Sequence, residues 1–290
     1  MLLLMGVPGP LLAQTTPAAD TSWRVKLAAG LNFNQASFSG NWRAGGVNSI
    51  ALGSLFNLKA TYTKGRLDWV NDVDLLYGLL NNSGQGFRKT TDRMLLDAKM
   101  GYKLPGKWNM FVSANFLSQF APGYQYVKDS LDREQALLIS RFMAPGFLTF
   151  AYGFEYKPAD YFYVRLSPFS PRFTFVTDRN LYLTVPDNYG VPIGRTVRQE
   201  WLSMQVLADY NRNINETLSL KARYQLFANL ETLALNAIDH RLDVSFTSKV
   251  TNYINVSLTG ILLYDRDQDR DVQLSQSLAV GLAYTLNRYR

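Results

Sequence analysis

Long segments of alternating apolar and polar residues run through this sequence, and they restrict the fold more than any other feature. In residues 93–104 the even positions are apolar, and the odd positions are mostly polar or charged. Successive side chains of a β-strand point to opposite faces, so this pattern is typical of a strand between an apolar and a polar environment. Residues 218–229 repeat it, and residues 278–286 show it with small side chains on one face.

Segments of this kind follow one another from Trp23 to the end of the chain, and they predict twelve strands. The expected bounds are residues 23–37, 49–63, 66–80, 90–104, 107–120, 146–157, 161–175, 198–212, 216–230, 238–250, 254–265 and 273–286. Short connections such as Lys64-Gly65 and Pro105-Gly106 have the composition of tight hairpins. They alternate with longer connections near 38–48, 81–89, 121–145, 176–197, 231–237 and 266–272.

The length of these segments favours a membrane barrel over a soluble sandwich or a lipocalin-like barrel, which would also alternate. They reach about 12–15 residues, whereas globular strands average about 5–6. Aromatic residues such as Trp69, Tyr102 and Trp108 gather at the ends of the apolar faces, as at a membrane interface. Lipid offers no hydrogen bonds, so the first strand must pair with the last. We predict an all-β fold, a closed antiparallel transmembrane β-barrel of about twelve strands with short periplasmic turns and long outer loops.

The N-terminal residues indicate export. Residues 1–14 are apolar and end in small residues, which resembles the remnant of a signal peptide, although a disordered N-terminus is the alternative. Residues 15–22 then form a linker, and residues 23–290 form the barrel. No stretch approaches the roughly 18 apolar residues of a spanning helix, and the mean hydropathy is −0.12. We predict a bacterial outer-membrane location with both termini periplasmic, contact with outer-membrane lipid and a monomeric state.

The polar face of each strand should line a lumen that carries both signs of charge. Twelve strands give a backbone radius of about 12 Å, which leaves a bore of only several ångströms between side chains. Unpaired charges in such a space are costly, so they should form ion-pair networks. These networks brace the barrel, form a constriction that selects solutes, or do both. The predicted lumen and constriction residues are Lys59, Asp72, Asp74, Arg93, Asp97, Lys99, Arg165, Lys221, Arg223 and Asp243.

Apolar residues on the inward face gather toward the long-loop end. Water at an open mouth would disfavour them, so they are either covered by inward-folded loops or bind an amphipathic ligand. The residues of this apolar vestibule are Leu76, Leu95, Leu117, Phe227, Ile261 and Leu263. In the first long loop Trp42, Arg43, Gly45 and Gly46 combine stacking and hydrogen-bonding groups with paired glycines. They plug the lumen, recognise an envelope protein partner, or form a structured turn.

Catalytic and metal-binding patterns are weak, so we expect neither an enzyme nor a cofactor nor a metal. The single histidine, His240, lacks a serine at the offset that a hydrolase would need. Asp72 and Asp74 share a strand face, where carboxylates are more often lumenal charges than acid–base pairs. The alternating aspartates of residues 265–271 suit calcium, but two interleaved arginines favour self-neutralisation. Basic residues are dispersed, which argues against nucleic-acid binding.

Several stretches resemble a known family. They are Asn41-Trp42-Arg43-Ala44-Gly45-Gly46-Val47-Asn48-Ser49, Trp69-Val70-Asn71-Asp72, Arg88-Lys89-Thr90-Thr91-Asp92, Ser118-Gln119-Phe120 and Arg165-Leu166-Ser167-Pro168. The sequence is similar in them to the Bacteroidota outer-membrane family classed as domain of unknown function 3078. The resemblance implies a barrel and an envelope location but no activity. From the residues themselves we expect a channel or transporter for a small solute, and the alternative is a non-conducting structural or partner-binding barrel.

Overall fold

A computed structural model describes residues 23–37, 39, 47–231, 238–251, 254–268 and 271–289. The expected signal remnant 1–14, the linker 15–22 and the loop residues Trp42, Arg43, Gly45 and Gly46 lie outside the described residues. The strands are β1 Trp23–Ala36, β2 Ser49–Lys64, β3 Leu67–Asn82, β4 Gly86–Lys103, β5 Trp108–Ser118, β6 Gly123–Lys128, β7 Glu134–Ser140, β8 Gly146–Ala159, β9 Phe162–Phe169, β10 Arg172–Phe175, β11 Val197–Glu200, β12 Ser203–Asn213, β13 Leu218–Asn229, β14 Asp239–Lys249, β15 Ile254–Tyr264 and β16 Gln273–Tyr289.

Twelve of these strands form a closed antiparallel ring. Hydrogen bonding runs from β1 to β5, continues through β8, β9 and β12 to β16, and returns to β1. The closing pair extends from Arg24 opposite Tyr289 to Asn32 opposite Gly281. Every strand of the ring therefore has hydrogen-bonded neighbours on both edges, as an apolar surrounding requires. The predicted closed barrel of twelve antiparallel strands is confirmed.

Two ring strands are interrupted near the long-loop end. The predicted strand 161–175 is divided into β9 and β10, with Ser170 and Pro171 between them, because proline lacks the N–H that a ladder needs. The predicted strand 198–212 is likewise divided into β11 and β12. Strand β10 pairs with both β8 and β11, so the sheet continues above the interruption.

The connection between β3 and β4 is short, and the prediction of a long loop over residues 81–89 is wrong. Asn82 lies opposite Gly86, and only three residues connect the two strands. Gly84 and Gly86 adopt φ angles of 83° and 69°, which side chains other than glycine rarely tolerate. Residues 81–89 have the polar composition of a loop because the β3–β4 hairpin extends beyond the apolar belt of the barrel.

The outer surface of the ring is an apolar belt. The side chains that carry it alternate along their strands with inward residues, and each is exposed on the outside. Its members include Leu52, Phe56, Leu96, Met100, Val112, Phe150, Leu166, Phe246, Leu258, Leu262, Leu274 and Leu278. At the short-turn end the rings of Trp108 and Tyr156 lie 5.0 Å apart, and Trp23 and Tyr62 lie 5.1 Å apart. An exposed apolar surface of this extent is suited to acyl chains, and its aromatic edge to the headgroups.

Two long connections pack together above the long-loop end and form what we call the cap, residues 119–145 and 176–197. The first contains the β6–β7 hairpin, and the second contains two short 3₁₀ turns, Leu181–Leu183 and Asn188–Gly190. Ala144, Val176, Leu181 and Val191 form its small buried core. The backbone N–H of Thr177 donates to the Met143 carbonyl at 3.0 Å and joins the two connections. Among the described residues, no helix is both long and apolar enough to cross a membrane.

Candidate functional site

The inner wall formed by β3, β4, β5, β8 and β9 carries a dense ion-pair network centred on Glu155. This side chain is only 3% exposed. Its carboxylate accepts hydrogen bonds from Lys99 Nζ at 3.0 and 3.1 Å, Arg165 Nε at 2.8 Å and Asn109 Nδ2 at 3.1 Å. A carboxylate this deeply buried is tolerated because its lone pairs are occupied and two cations neutralise its charge.

Neighbouring groups extend this network around Arg165 and Lys99. The guanidinium of Arg165 lies 4.0 Å from a carboxylate oxygen of Asp97, and Lys99 Nζ lies 3.4 Å from one of Asp68. The same guanidinium sits over the rings of Phe111 and Tyr163, at 5.3 and 4.7 Å from their centroids. The network therefore fills this side of the barrel with paired charges and stacked rings, which is the arrangement expected of bracing.

A second chain of charges crosses the lumen. Arg93 on β4 bonds Asp74 Oδ1 on the adjacent strand at 2.8 Å, and its other nitrogen lies 3.8 Å from Asp243 Oδ1 on β14. The order β4-β3-β2-β1-β16-β15-β14 takes half of the ring, so β4 and β14 lie on opposite walls. Arg241 then holds Asp243 with two bonds of 2.7 and 2.8 Å. We call Asp74, Arg93, Asp243 and Arg241 the crossing chain.

The exposure of the crossing chain distinguishes it from the Glu155 network. Its four side chains are 24–28% exposed, although they point into the barrel. Because the outer face of the sheet is closed to them, this exposure is to space inside the lumen. The crossing chain therefore borders open space within the lumen, whereas the Glu155 carboxylate is enclosed.

The remaining predicted lumen residues face the same interior. Lys59 lies opposite Asp72 in the β2–β3 register, and it interacts electrostatically with Asp72 and, across the barrel, with Asp209 and Arg223. Asp72 Oδ1 accepts the amide of Asn57 at 2.9 Å. Arg223 binds Asp209 at 2.8 Å, and Lys221 lies on the same inward face of β13. Strand register thus places all ten predicted lumen residues on the inner wall.

The predicted vestibule residues also face inward, but they do not behave as one group. Leu95 lies opposite Leu117, Ile261 lies opposite Asp243, and Leu263 lies opposite Arg241. Leu76 and Leu55 border an open depression of about 500 Å³ that the outward-facing Phe56 and Tyr77 also line. Phe227, by contrast, is 2% exposed. The guanidinium of Arg172 covers its ring at 3.2 Å from the centroid. That residue is packed, not open to a ligand.

Further ion pairs close part of the long-loop mouth, and sequence reasoning missed them. Arg172 reaches Asp239 at 2.6 Å, and Arg198 pairs with both Glu200 and Asp267. Arg172 on β10 and Asp239 on β14 are not on neighbouring strands, and Arg198 on β11 meets Asp267 in the loop after β15, so these two contacts span the mouth, whereas Glu200 is on the same strand as Arg198. The alternation of side chains along β14 places Arg241 on the same inward face as Asp243. No local sequence pattern shows which cation contacts which carboxylate across the lumen.

Charged and phenolic groups also hold the cap. The Tyr189 hydroxyl donates to the Ile139 carbonyl at 2.7 Å, and burial raises the pKa of Tyr189 to about 12. The backbone N–H of Asn180 and the guanidinium of Arg141 lower the pKa of Asp178 below its usual value. The Asp178 contacts favour the docked state of the cap above the ordinary pKa of an aspartate, whereas the buried phenol of Tyr189 disfavours docking only at strongly alkaline pH, where it would ionise.

The groups considered for catalysis or metal binding have other contacts. His240 Nδ1 lies 2.7 Å from the Tyr224 hydroxyl, on the outer face near Tyr264. Asp265 accepts the amide of Gln268 at 2.6 Å and the backbone N–H of Asp267 at 3.0 Å. Within the described ranges, no three His, Cys, Asp or Glu side chains come together as a metal site.

Comparison with known proteins gives a family match and distant structural likenesses. Residues 33–124, about a third of the chain, match the family model described as "Protein of unknown function (DUF3078)". An outer membrane channel from Pseudomonas putida F1 is similar at a TM-score of 0.42 and 12% identity, with 93% of this chain and 97% of that chain covered. For the translocator domain of autotransporter NalP from Neisseria meningitidis the values are 0.38 and 11%, with 92% and 90% covered.

The Pseudomonas putida toluene transporter TodX is similar at a TM-score of 0.30 and 9% identity, with 91% of this chain and 88% of that chain covered. No curated protein matches the sequence at a significant level. With TM-scores below 0.5 these likenesses carry no inference about activity. The family match supports the resemblance noted in the sequence over residues 33–124. The ring of strands and the apolar belt identify the chain as a closed β-barrel of the outer-membrane type, and residues 33–124 of it match a family of unknown function.

Proposed function

We propose that this barrel is an outer-membrane channel for small solutes, which the crossing chain keeps narrow. It acts as a monomer with both termini on the periplasmic side, and no catalytic step is part of this function. The observation that carries the proposal is that Arg93 bridges opposite walls while its side chain stays 24% exposed within the lumen. A brace that served only stability would be expected to be enclosed, as the Glu155 carboxylate is.

Replacing Arg93 tests this function directly. In Arg93→Ala the link between β4 and β14 is removed, and the bore widens by the volume of a guanidinium side chain. We expect planar bilayers with the purified protein to show small stepwise conductances for the unmodified chain and several-fold larger ones for the variant. Arg133→Ala is the matched control, since that arginine is 72% exposed in the β6–β7 hairpin and away from the lumen. Both variants are first checked for folding by heat-modifiable gel mobility.

If neither the folded unmodified protein nor folded Arg93→Ala conducts in planar bilayers, the proposed channel function is wrong. That result would favour a second function, a non-conducting barrel that binds an envelope partner through the cap. That function is favoured by the exposure of apolar cap residues, because Leu131 and Leu183 are both 69% exposed and Ile193 is 66% exposed. Its test is a complex recovered by cross-linking in whole cells, which Leu131→Ser, Leu183→Ser and Ile193→Ser together should abolish.

A further inference from the structure

We infer that the lumen selects small inorganic anions and that their path follows the wall formed by β13 to β16, β1 and β2. This inference rests on the proposed channel function and adds the class of solute to it. It depends on two properties of the inner wall. One is where the side chains are large or small, and the other is where charged side chains lack an ion-pair partner.

The inner wall is unequal in bulk. The side formed by β3, β4, β5, β8 and β9 is filled by the Glu155 network and by Phe111 and Tyr163. On the opposite side many inward positions hold small residues, several with hydroxyl groups, while Arg223, Arg241, Asp243, Ile261 and Leu263 also face inward there. The small residues are Ala28, Gly30, Gly53, Ser245, Thr247, Ser257, Thr259, Ser275, Ala279 and Gly281. Any open passage therefore lies beside this second side, where short side chains leave the most room.

The carboxylates of the inner wall have partners. Asp74 is bound by Arg93, Asp209 by Arg223, and Asp243 by Arg241. Glu155 and Asp68 are held by Lys99, Asp97 lies beside Arg165, and Asp72 accepts the amide of Asn57. The acidic residues of the described inner wall are thus largely neutralised or hydrogen-bonded. They offer little to attract a cation.

Three lysines of the same wall lack such partners. Lys26, Lys59 and Lys221 point inward and have no carboxylate oxygen within 4 Å among the described residues. Asp72 and Asp209 attract the Lys59 ammonium electrostatically, but the nearby guanidinium groups of Arg223 and Arg165 repel it. These lysines flank the wall of small residues, with Lys26 and Lys59 on one border and Lys221 on the other.

The position of Lys26 and Lys59 strengthens the inference. They lie directly opposite each other on β1 and β2. Like charges at opposed positions of a ladder destabilise it, and a small anion between them removes the repulsion. The hydroxyls of Thr247 and Ser257 lie 3.3 Å apart on β14 and β15, near Lys221, which is opposite Ser245 in the β13–β14 register, and they can donate to an anion held there. Arg24 and Lys249 add exposed positive charge at the short-turn rim, which concentrates anions at the entrance.

The test is the reversal potential of the purified full-length protein in a KCl gradient across a planar bilayer. We expect chloride to permeate several-fold better than potassium at low salt, where the screening length is about 10 Å. The preference should fall as salt rises, because screening shortens to about 3 Å at 1 M. In the triple variant Lys26→Gln, Lys59→Gln and Lys221→Gln, chloride preference should be lost while a conductance remains. Lys128→Gln, on a side chain 67% exposed in the cap, should leave it unchanged.

Binding of inorganic phosphate to the detergent-solubilised protein, followed by calorimetry, separates the two proposals. Phosphate binding that the triple variant loses supports the anion site even if no conductance is seen, in which case only the channel function fails. Conductance with potassium preferred, or chloride preference and phosphate binding that survive in the triple variant, would overturn the anion inference and leave the channel intact. A folded barrel that neither conducts nor binds phosphate would contradict both the channel function and the anion inference.

Discussion

Glu155 shows why charged residues are retained inside this barrel. Two cations and an amide surround its carboxylate, and the rings of Phe111 and Tyr163 cover the guanidinium that holds it. Each charge in the network is therefore tolerable only while its partners remain. Removing one member leaves the others buried and unpaired, which costs more than the pair itself contributes.

Glu155→Ala should lower the free energy of unfolding by about 3–5 kcal/mol, because Lys99 and Arg165 lose their shared counter-ion. Urea unfolding in lipid vesicles, followed by tryptophan fluorescence, measures the change. The control is Asp132→Asn, because the Asp132 side chain is 81% exposed, pairs with Lys128 and has a φ of 60° that asparagine also tolerates. Loss of that ion pair should cost less than about 1 kcal/mol. Equal effects of the two variants would show that the Glu155 network does not brace the barrel.

The sequence could show which residues face the lumen but not which of them meet. Alternation assigns Arg93 and Asp243 to the inner wall, because a strand has only two faces. Their contact depends on the closure and stagger of the ring, which no segment of sequence contains. The contact of Arg172 with Phe227 could not be predicted for the same reason. Position on a face is a local property, whereas pairing across a lumen is a global one.

At the level of elements, strands were predictable and the outer connections were not. All twelve predicted segments correspond to ring strands, since a period-2 pattern sustained over a dozen residues fits a strand and does not fit a helix. The end of the β3–β4 hairpin and the β6–β7 hairpin fall within predicted loops, because their residues are polar and contact the cap instead of lipid. Arg88 illustrates this, with its guanidinium over the Tyr126 ring at 3.9 Å.

The cap gives a prediction with a control inside one 3₁₀ turn. Leu181 is 1% exposed in the cap core, whereas Leu183, two residues later, is 69% exposed. Leu181→Ala should destabilise docking of the cap by about 2–5 kcal/mol through the cavity it leaves. Limited trypsin digestion should then cleave after Arg133 and Arg179 much faster, with the unfolding midpoint of the barrel unchanged.

Leu183→Ala should leave the digestion pattern as it is in the unmodified protein. If the two variants were cleaved at the same rate, the cap would not be held by its small apolar core. A large fall in barrel stability in Leu181→Ala would instead show that the cap and the ring unfold as one unit.

For the molecule as a whole, the assignment of side chains to the belt or to the lumen rests on the outer face of the barrel being in contact with lipid. Leu258 and Ser257 are neighbours on β15, yet Leu258 is 48% exposed on the apolar belt and Ser257 lies opposite Thr247 on the inner wall. A shift of one residue along a strand therefore moves a side chain from acyl chains to the lumen.

Leu258→Arg should reduce stability in lipid vesicles by about 2–4 kcal/mol, the cost of a cation near the bilayer midplane. Ser257→Arg adds the same side chain to the lumen and should cost far less. Urea titration in vesicles compares them, and the order of the two midpoints is the result that matters. The reverse order would mean that the surface here taken as lipid-facing is in contact with water.

The pairing of β1 with β16 also constrains how the molecule can be made. Arg24 and Tyr289 become neighbours only after every intervening strand has been synthesised, so this ladder joins segments that are separated by all the other strands of the ring. Until then two strand edges stay unsatisfied, and non-local ladders of this kind form slowly. Unfolded intermediates with open edges aggregate readily. A chain built in this way must be kept soluble in transit and be closed inside the bilayer.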